Sequence, residues 1–331
     1  MKFDLQKFNN EFKKRIILLF ILFVIANIFA NLPSLNIFVD ILSHFKVQYF
    51  YISILFTLCF LYFSFFNKKF TIGLLISFII LIFNYLEISK YCIKPDTDLK
   101  SDIKIGLFNV LTSNKKYDKL INEIYLKSPD VVILQEVNKA WLKNIESIKT
   151  IYPYFVDCPR DDNFGLSLYS KYPLSNAVAE YWTDRYVPII RAQIKKDETL
   201  VTIYCVHTLP PVNNEYILTR NNMLLKINNI LHKASKDGEN IIIAGDFNTT
   251  IFSPAYKKII DPPFNSNITI YDAIRYLPKI EGTWNAYHLP VFRITLEHIL
   301  SIPPVVPVKT GLGHKIGSDH FPVFAEFAIA K

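Results

Sequence analysis

Three runs near the start of the chain contain no charged side chain: IILLFILFVIANIFANL at 16–32, VQYFYISILFTLCFLYFSFF at 47–66 and FTIGLLISFIILIFNYL at 70–86. Each is close to the roughly 17–25 residues that cross a bilayer as a helix. A buried core helix can look the same, but three such runs parted by short loops favour a membrane anchor at residues 1–86. The composition agrees: 51% of the chain is hydrophobic, with 27 Phe and 19 Tyr.

The first run follows a basic start, Lys13-Lys14-Arg15, as a secretory signal would, but Ile28-Phe29-Ala30 offers no clear small-x-small cleavage site. Orientation follows from Lys and Arg in the short loops. The tail carries Lys2, Lys7, Lys13, Lys14 and Arg15, the first loop only Lys46, and the second Lys68 and Lys69. The tail and the second loop are therefore expected in the cytoplasm. Three spans then put everything after Leu86 outside it, which makes an integral inner- or plasma-membrane protein with an extracytoplasmic domain.

Residues 87–102, EISKYCIKPDTDLKSD, read as a polar linker. From 103 to 331 a different rhythm begins. Short β-rich runs appear at 103–109, 131–134, 165–170, 188–194, 200–207, 240–245, 294–300 and 321–329, with helical patterns at 117–127 and 214–236. Some strands follow one another directly and others are parted by helices. The expected fold is therefore an α/β sandwich of two packed mixed sheets flanked by helices, four layers in all, rather than a regular βαβ array.

The formal charge of +8 divides evenly: residues 1–102 hold 11 basic and 7 acidic residues (+4), and the remainder 26 and 22 (+4). No long Lys/Arg run marks a nucleic-acid groove, although an anionic substrate is compatible. Cys59, Cys92, Cys158 and Cys205 form neither a metal-binding spacing nor a C-x-x-C pair. With no G-x-G-x-x-G and no Walker A pattern, no nucleotide cofactor is expected.

The informative residues lie where the strands stop. The first ends at Asn109, the second in Gln135-Glu136, the fifth at His207 and the sixth in Asp246-Phe247-Asn248; the last begins after Ser318-Asp319-His320. Singly, each has a plain reading as a turn or a solvated strand end. Together they match places where a rigid scaffold presents functional groups.

This ordered set resembles the endonuclease/exonuclease/phosphatase superfamily of metal-dependent phosphoesterases, which includes deoxyribonuclease I, abasic-site endonucleases, neutral sphingomyelinases and inositol-polyphosphate 5-phosphatases. The matching residues are Asn109 in LFNV, Glu136 in LQEV, SKYPL at 170–174, His207 in CVHTLPP, GDFN at 245–248, Gly282-Thr283-Trp284, and SDH at 318–320. They span about 103–331. Three spans before such a domain resemble membrane-anchored bacterial members of unassigned substrate.

Hydrolysis of a phosphate ester needs charge neutralised on the phosphoryl oxygens, an activated water and a stabilised leaving oxygen. The resemblance implies that Glu136 is the main ligand of Mg²⁺ or Mn²⁺, both of which suit oxygen donors. Asn109 would help hold metal or phosphate, and Asp319 would assist the metal or His320. Asp246 would orient and deprotonate the attacking water. Asn248 would donate an amide hydrogen to a phosphoryl oxygen, which an Asp could not do. His320 would contact the phosphate or share the proton work, and His207 would protonate or stabilise the leaving oxygen. Arg191, with a looser match, could meet the phosphate; its alternative is a surface ion pair.

One departure stands out. The family usually carries an Asp in an R-I-D-H/Y-like strand to orient the catalytic His. Here the strand reads ITLEHIL, with Glu297 at that place, and no Asp lies between Asp272 and Asp319. A longer acid can still pair with an imidazole, while His298 beside it reads as structural. The chain is thus expected to be a membrane-anchored phosphodiester hydrolase acting on a phospholipid or a nucleic acid. The alternative is a membrane scaffold that keeps the fold but has lost its chemistry, supported only by Glu297.

Overall fold

The structure is a computed structural model and describes residues 5–34, 36–91, 93, 99–260, 268–277 and 281–329. The chain divides into an N-terminal helical unit and a larger α/β unit. Part of the expected linker at 87–102, residues 92 and 94–98, lies outside the described residues.

The helical unit holds α1 (Leu5–Phe29), the short α2 (Ile37–Ser43), α3 (Lys46–Phe66) and α4 (Thr71–Ser89), with a 3-10 turn at Lys68–Phe70. Two helical stretches among the described residues are long and apolar enough to cross a membrane, Lys46–Phe66 and Lys68–Ser89. The first expected span differs: α1 stops at Phe29, so its apolar part is short, and its first half carries Glu11, Lys13, Lys14 and Arg15. It nonetheless packs with the others. Phe20 and Phe23 meet Tyr49, Phe56 and Phe60, and Asn84 Nδ2 donates to Asn27 Oδ1 at 3.0 Å. The outward side chains are large and apolar (Leu19, Leu55, Phe65, Ile79), while Asn27, Ser53, Ser77 and Asn84 are buried.

The α/β unit contains β1 (Ile103–Asn109), α5 (Tyr117–Lys127), β2 (Val131–Gln135), α6 (Lys139–Asn144), β3 (Tyr154–Cys158), β4 (Leu166–Ser170), β5 (Leu174–Tyr181), β6 (Pro188–Lys196), β7 (Thr199–His207), α7 (Asn214–Asp237), β8 (Ile241–Asp246), α8 (Pro254–Ile260), β9 (Tyr271–Asp272), β10 (Glu297–Ser301), β11 (Val305–Leu312) and β12 (Val323–Ile329). They form two six-stranded sheets, β11-β12-β1-β2-β4-β3 and β5-β6-β7-β8-β10-β9. Both are mixed: β1–β2 and β7–β8 are parallel, and the other pairs antiparallel.

The period of two in each strand sorts the side chains onto two faces. In the first sheet Phe108, Val132, Leu134 and Tyr169 pack under Leu120 and Ile124 of α5 and Trp141 of α6. The second sheet is flanked by α7, whose buried Ile217, Met223, Leu224, Ile227, Leu231 and Ala234 follow helical spacing. Asn213 caps its start by accepting from Tyr216 N, and Gly238 ends it at φ 68°. This is the expected four-layer α/β sandwich. The two parallel pairs, β1–β2 and β7–β8, end at the same edge of the sandwich, and the candidate site residues gather there.

Candidate active site

The two sheets are tied together beside the site. Gln135, the last residue of β2, is fully buried and reaches across to the other sheet. Its Nε2 donates to Val206 O at 2.9 Å, and its Oε1 accepts from Asp246 N at 3.1 Å. Both ends of one amide are satisfied, so the end of β8 has a fixed height relative to β2. Gly245 lets β7 and β8 lie close beside this amide: a Cβ there would lie 1.6 Å from Val206 O and 3.2 Å from Gln135 Nε2.

Glu136 follows at φ 62°, a left-handed conformation that turns it out of the strand direction. Its Oε1 accepts from Asn109 Nδ2 at 2.8 Å, and Thr112 Oγ1 donates to its backbone carbonyl at 2.9 Å. Burial raises its pKa, partly opposed by the Asn109 hydrogen bond, and the charges of His320 and Asp319 act on it too. Asp319 is itself held by Trp284, whose Nε1 donates to Oδ2 at 2.9 Å.

Asp246 lies opposite Glu297 in the β8–β10 register. Asn248 N donates to Asp246 Oδ1 at 2.7 Å, while Oδ2 faces two imidazoles: His320 Nε2 at 3.8 Å and His207 Nε2 at 3.9 Å. Those separations exceed hydrogen-bond length and leave three polar groups around one small space. His320 Nδ1 is hydrogen-bonded to Glu297 Oε1. The extra methylene of Glu297 is therefore accommodated, and the pair that the resemblance assigns to an Asp is made here by a Glu.

The charges follow from these contacts. Burial opposes protonation of His320, but the Glu297 carboxylate outweighs it and lifts the imidazole to about 10. Burial would raise Glu297 as well, yet the charge and hydrogen bond of His320 hold it below the usual carboxylate range. The two form an ion pair at neutral pH. Asp246 is pushed up to about 7 by burial, with His320 opposing and Glu297 adding. His207 goes the other way: burial, then the charge of His320, push it down to about 3. His207 is thus held neutral by its surroundings at neutral pH.

Asn248, at φ 46°, spends one amide hydrogen on Thr208 O at 2.8 Å. An amide has two, so one remains available. Arg191 is the exception among the sequence candidates. Its Nε donates to Glu180 Oε1 at 2.7 Å. It lies opposite Tyr204 in the register, so it faces the other way from Cys205 and His207. It is a surface ion pair and does not join the site. The structure brings Asn109, Glu136, His207, Asp246, Asn248, Glu297, Asp319 and His320 to one edge. Gln135, Thr112 and Trp284 join them, and sequence reasoning assigns none of the three a role. The signal for Gln135 is its polar type at an otherwise apolar inward position.

The Endonuclease/Exonuclease/phosphatase family profile matches residues 106–320. The chain belongs to this family. Endonuclease/exonuclease/phosphatase proteins are hydrolases of phosphodiester bonds. No curated protein matches the chain. Solved structures share the fold. An endonuclease/exonuclease/phosphatase from Bacteroides vulgatus aligns at TM-score 0.57 and 18% identity, covering 70% of this chain and 100% of that one. An AP endonuclease from Archaeoglobus fulgidus aligns at 0.56 and 17%, covering 68% and 99%. D. rerio TDP2 complexed with single strand DNA product aligns at 0.54 and 17%, covering 68% and 98%.

Family members typically use divalent metals, and the donor chemistry here fits one. Glu136 is a buried carboxylate, a hard oxygen donor, and burial disfavours its charge unless a cation is near; the Asp319 carboxylate acts on it electrostatically, and Asn109 holds it through Nδ2 while Asn109 Oδ1 accepts from Leu111 N at 3.2 Å. A second cluster, Asp246, Glu297 and His320, has potential ligand atoms within 4.8 Å of one another. There His320 Nδ1 and Glu297 Oε1 are already spent on each other, which suits proton handling better than coordination.

Proposed function

We propose that the chain is a membrane-anchored, divalent-metal-dependent phosphodiester hydrolase. The observation that carries this reading is Asp246, its Oδ2 facing His320 and His207, with the His320–Glu297 pair behind it and Asn248 alongside. Glu136, with Asn109 and Asp319, would hold Mg²⁺ or Mn²⁺. Such an ion supplies neutralisation of charge on the phosphoryl oxygens. Asp246, once ionised, accepts a proton from the attacking water. The cationic His320 and the remaining hydrogen of Asn248 donate to phosphoryl oxygens, and His207 hydrogen-bonds the leaving oxygen.

Two features bear on the substrate. Tyr287, Leu289, Val291 and Phe292 are exposed on one loop, and Tyr287 OH donates to Gly317 O at 2.7 Å, beside Ser318-Asp319-His320. An apolar rim at the site, in a chain with bilayer-length helices, favours a phosphodiester carried on a lipid. A nucleic acid is the second reading. The exposed Lys115, Lys116 and Lys315 support it, since the Lys116 side chain lies against Gly317. So does the DNA product held by the TDP2 relative.

In the anchored reading α1, α3 and α4 all cross the membrane, and the α/β unit lies outside the cytoplasm. The large apolar outer side chains and the buried Asn27–Asn84 contact support a lipid-facing bundle. If only α3 and α4 crossed, the α/β unit would share the side of the tail; protease added to intact cells would then leave it uncut. The substrate test is full-length protein in lipid nanodiscs, given nanodisc phospholipid or a single-stranded oligonucleotide with Mg²⁺. Release of a phosphorylated headgroup without DNA cleavage is the expected result. DNA cleavage alone would transfer the reading to nucleic acid.

A further inference from the structure

Asn248 is held left-handed by groups on both sides of it. Before it, Phe247 N donates to Leu296 O at 2.9 Å, and the Phe247 ring lies 5.1 Å from the His298 ring. At its own carbonyl, the buried Arg220 donates through Nη1 at 3.0 Å. After it, the carbonyl of Thr249 lies 2.9 Å from His298 Nε2.

His298 follows Glu297 on β10, so its side chain leaves the opposite face of the sheet. It is fully buried. Its Nδ1 lies 2.7 Å from Asp272 Oδ2, and Tyr256 OH donates to the same oxygen. Asp272 Oδ1 accepts from Ile274 N at 3.2 Å and Ile299 N at 3.3 Å. One ring nitrogen faces a carboxylate and the other a carbonyl. Both partners are acceptors, so both nitrogens carry hydrogen, and Asp272 balances the resulting charge. The Tyr256 ring stacks on the imidazole at 4.4 Å.

We propose that His298 is a positioning residue for catalysis: through the Thr249 carbonyl it fixes the loop that carries Asp246 and Asn248. It touches neither substrate nor metal. Asp272 and Tyr256 set the ring, and the ring sets the loop. In catalytic terms this rests on the phosphodiesterase reading, since it concerns the same site.

Two amide substitutions separate the ring's two contacts. In His298→Asn the short side chain can reach only the Nδ1 partner, Asp272. In His298→Gln the longer side chain can reach the Thr249 carbonyl. Full-length protein in detergent is assayed on an aryl phosphodiester, with rates normalised to folded protein. The same samples are followed by hydrogen exchange of the peptide over 241–251. His298→Asn should lower kcat about tenfold or more, with KM within about twofold, and speed exchange in that peptide. His298→Gln should stay within about threefold of wild type and exchange slowly. A role in stability alone would move the two variants together. Equal kcat and equal exchange in both would overturn the proposal. Because exchange needs no turnover, an inactive wild type would count against the phosphodiesterase reading while the loop contact was still tested.

Discussion

Strand β10 presents two His–carboxylate pairs back to back, and their difference separates chemistry from support. On the site face, Glu297 holds His320 by Nδ1, leaving Nε2 free to look toward Asp246 across 3.8 Å. On the other face, Asp272 holds His298 by Nδ1, but Nε2 is closed off by the Thr249 carbonyl at 2.9 Å. Both imidazoles are buried and both have raised pKa values despite that burial, because a carboxylate adjoins each. In the proposed reading only His320 takes part in the chemistry, so a charged, carboxylate-paired histidine would not by itself mark a catalytic residue. What distinguishes His320 is a ring nitrogen left open to an incoming group.

The site-face pair depends first on Glu297. Replacing it with Ala leaves His320 without its orienting partner, and kcat on an aryl phosphodiester should fall by about 10²-fold, the scale of a lost acid–base group. Glu297→Asp should retain turnover within about tenfold, since a shorter carboxylate can still reach an imidazole that shifts slightly. An unchanged rate in Glu297→Ala would remove the role given to this pair.

A smaller effect sharpens the same contrast through stability. The folded pKa of His320 is raised from 6.5 to about 10, so its protonated form stabilises the fold fully below about 6.5 and this contribution is lost as pH rises through 10. Asp246, raised from 3.8 to about 7, acts in the same direction at lower pH. In EDTA, the melting temperature of the wild type should therefore decline between pH 6.5 and 10. Glu297→Ala should flatten that decline. An equally steep decline in the variant would mean that Glu297 does not hold the charge on His320.

Legibility in the sequence follows burial. Strands such as Ile103–Asn109 and Ile241–Asp246 are buried on both faces and read as apolar runs ending in polar residues. The strand Leu174–Tyr181 is not legible, because it is an exposed edge with a register shift between Ser175 and Val178. The strands at 154–158 and 305–312 are edges as well. Residue types at strand ends point to the site, but the partners of His298 cannot be read from the sequence. Asp272, Tyr256 and Thr249 come from three separate segments, and only the fold brings them together. Arg191 shows the converse: of its two readings, phosphate contact or surface ion pair, the pleat favours the second by turning it to the face opposite His207.

The most direct measurement of the central claim is hydrolysis of an aryl phosphodiester by the full-length protein with Mg²⁺, with Mn²⁺ and with EDTA, beside Asp246→Ala. Turnover is expected with a divalent metal, none in EDTA, and a loss of about 10³-fold or more in the variant. Turnover that survived both EDTA and Asp246→Ala would contradict the claim. So would the absence of turnover together with no metal binding that depends on Glu136, which would instead describe a scaffold.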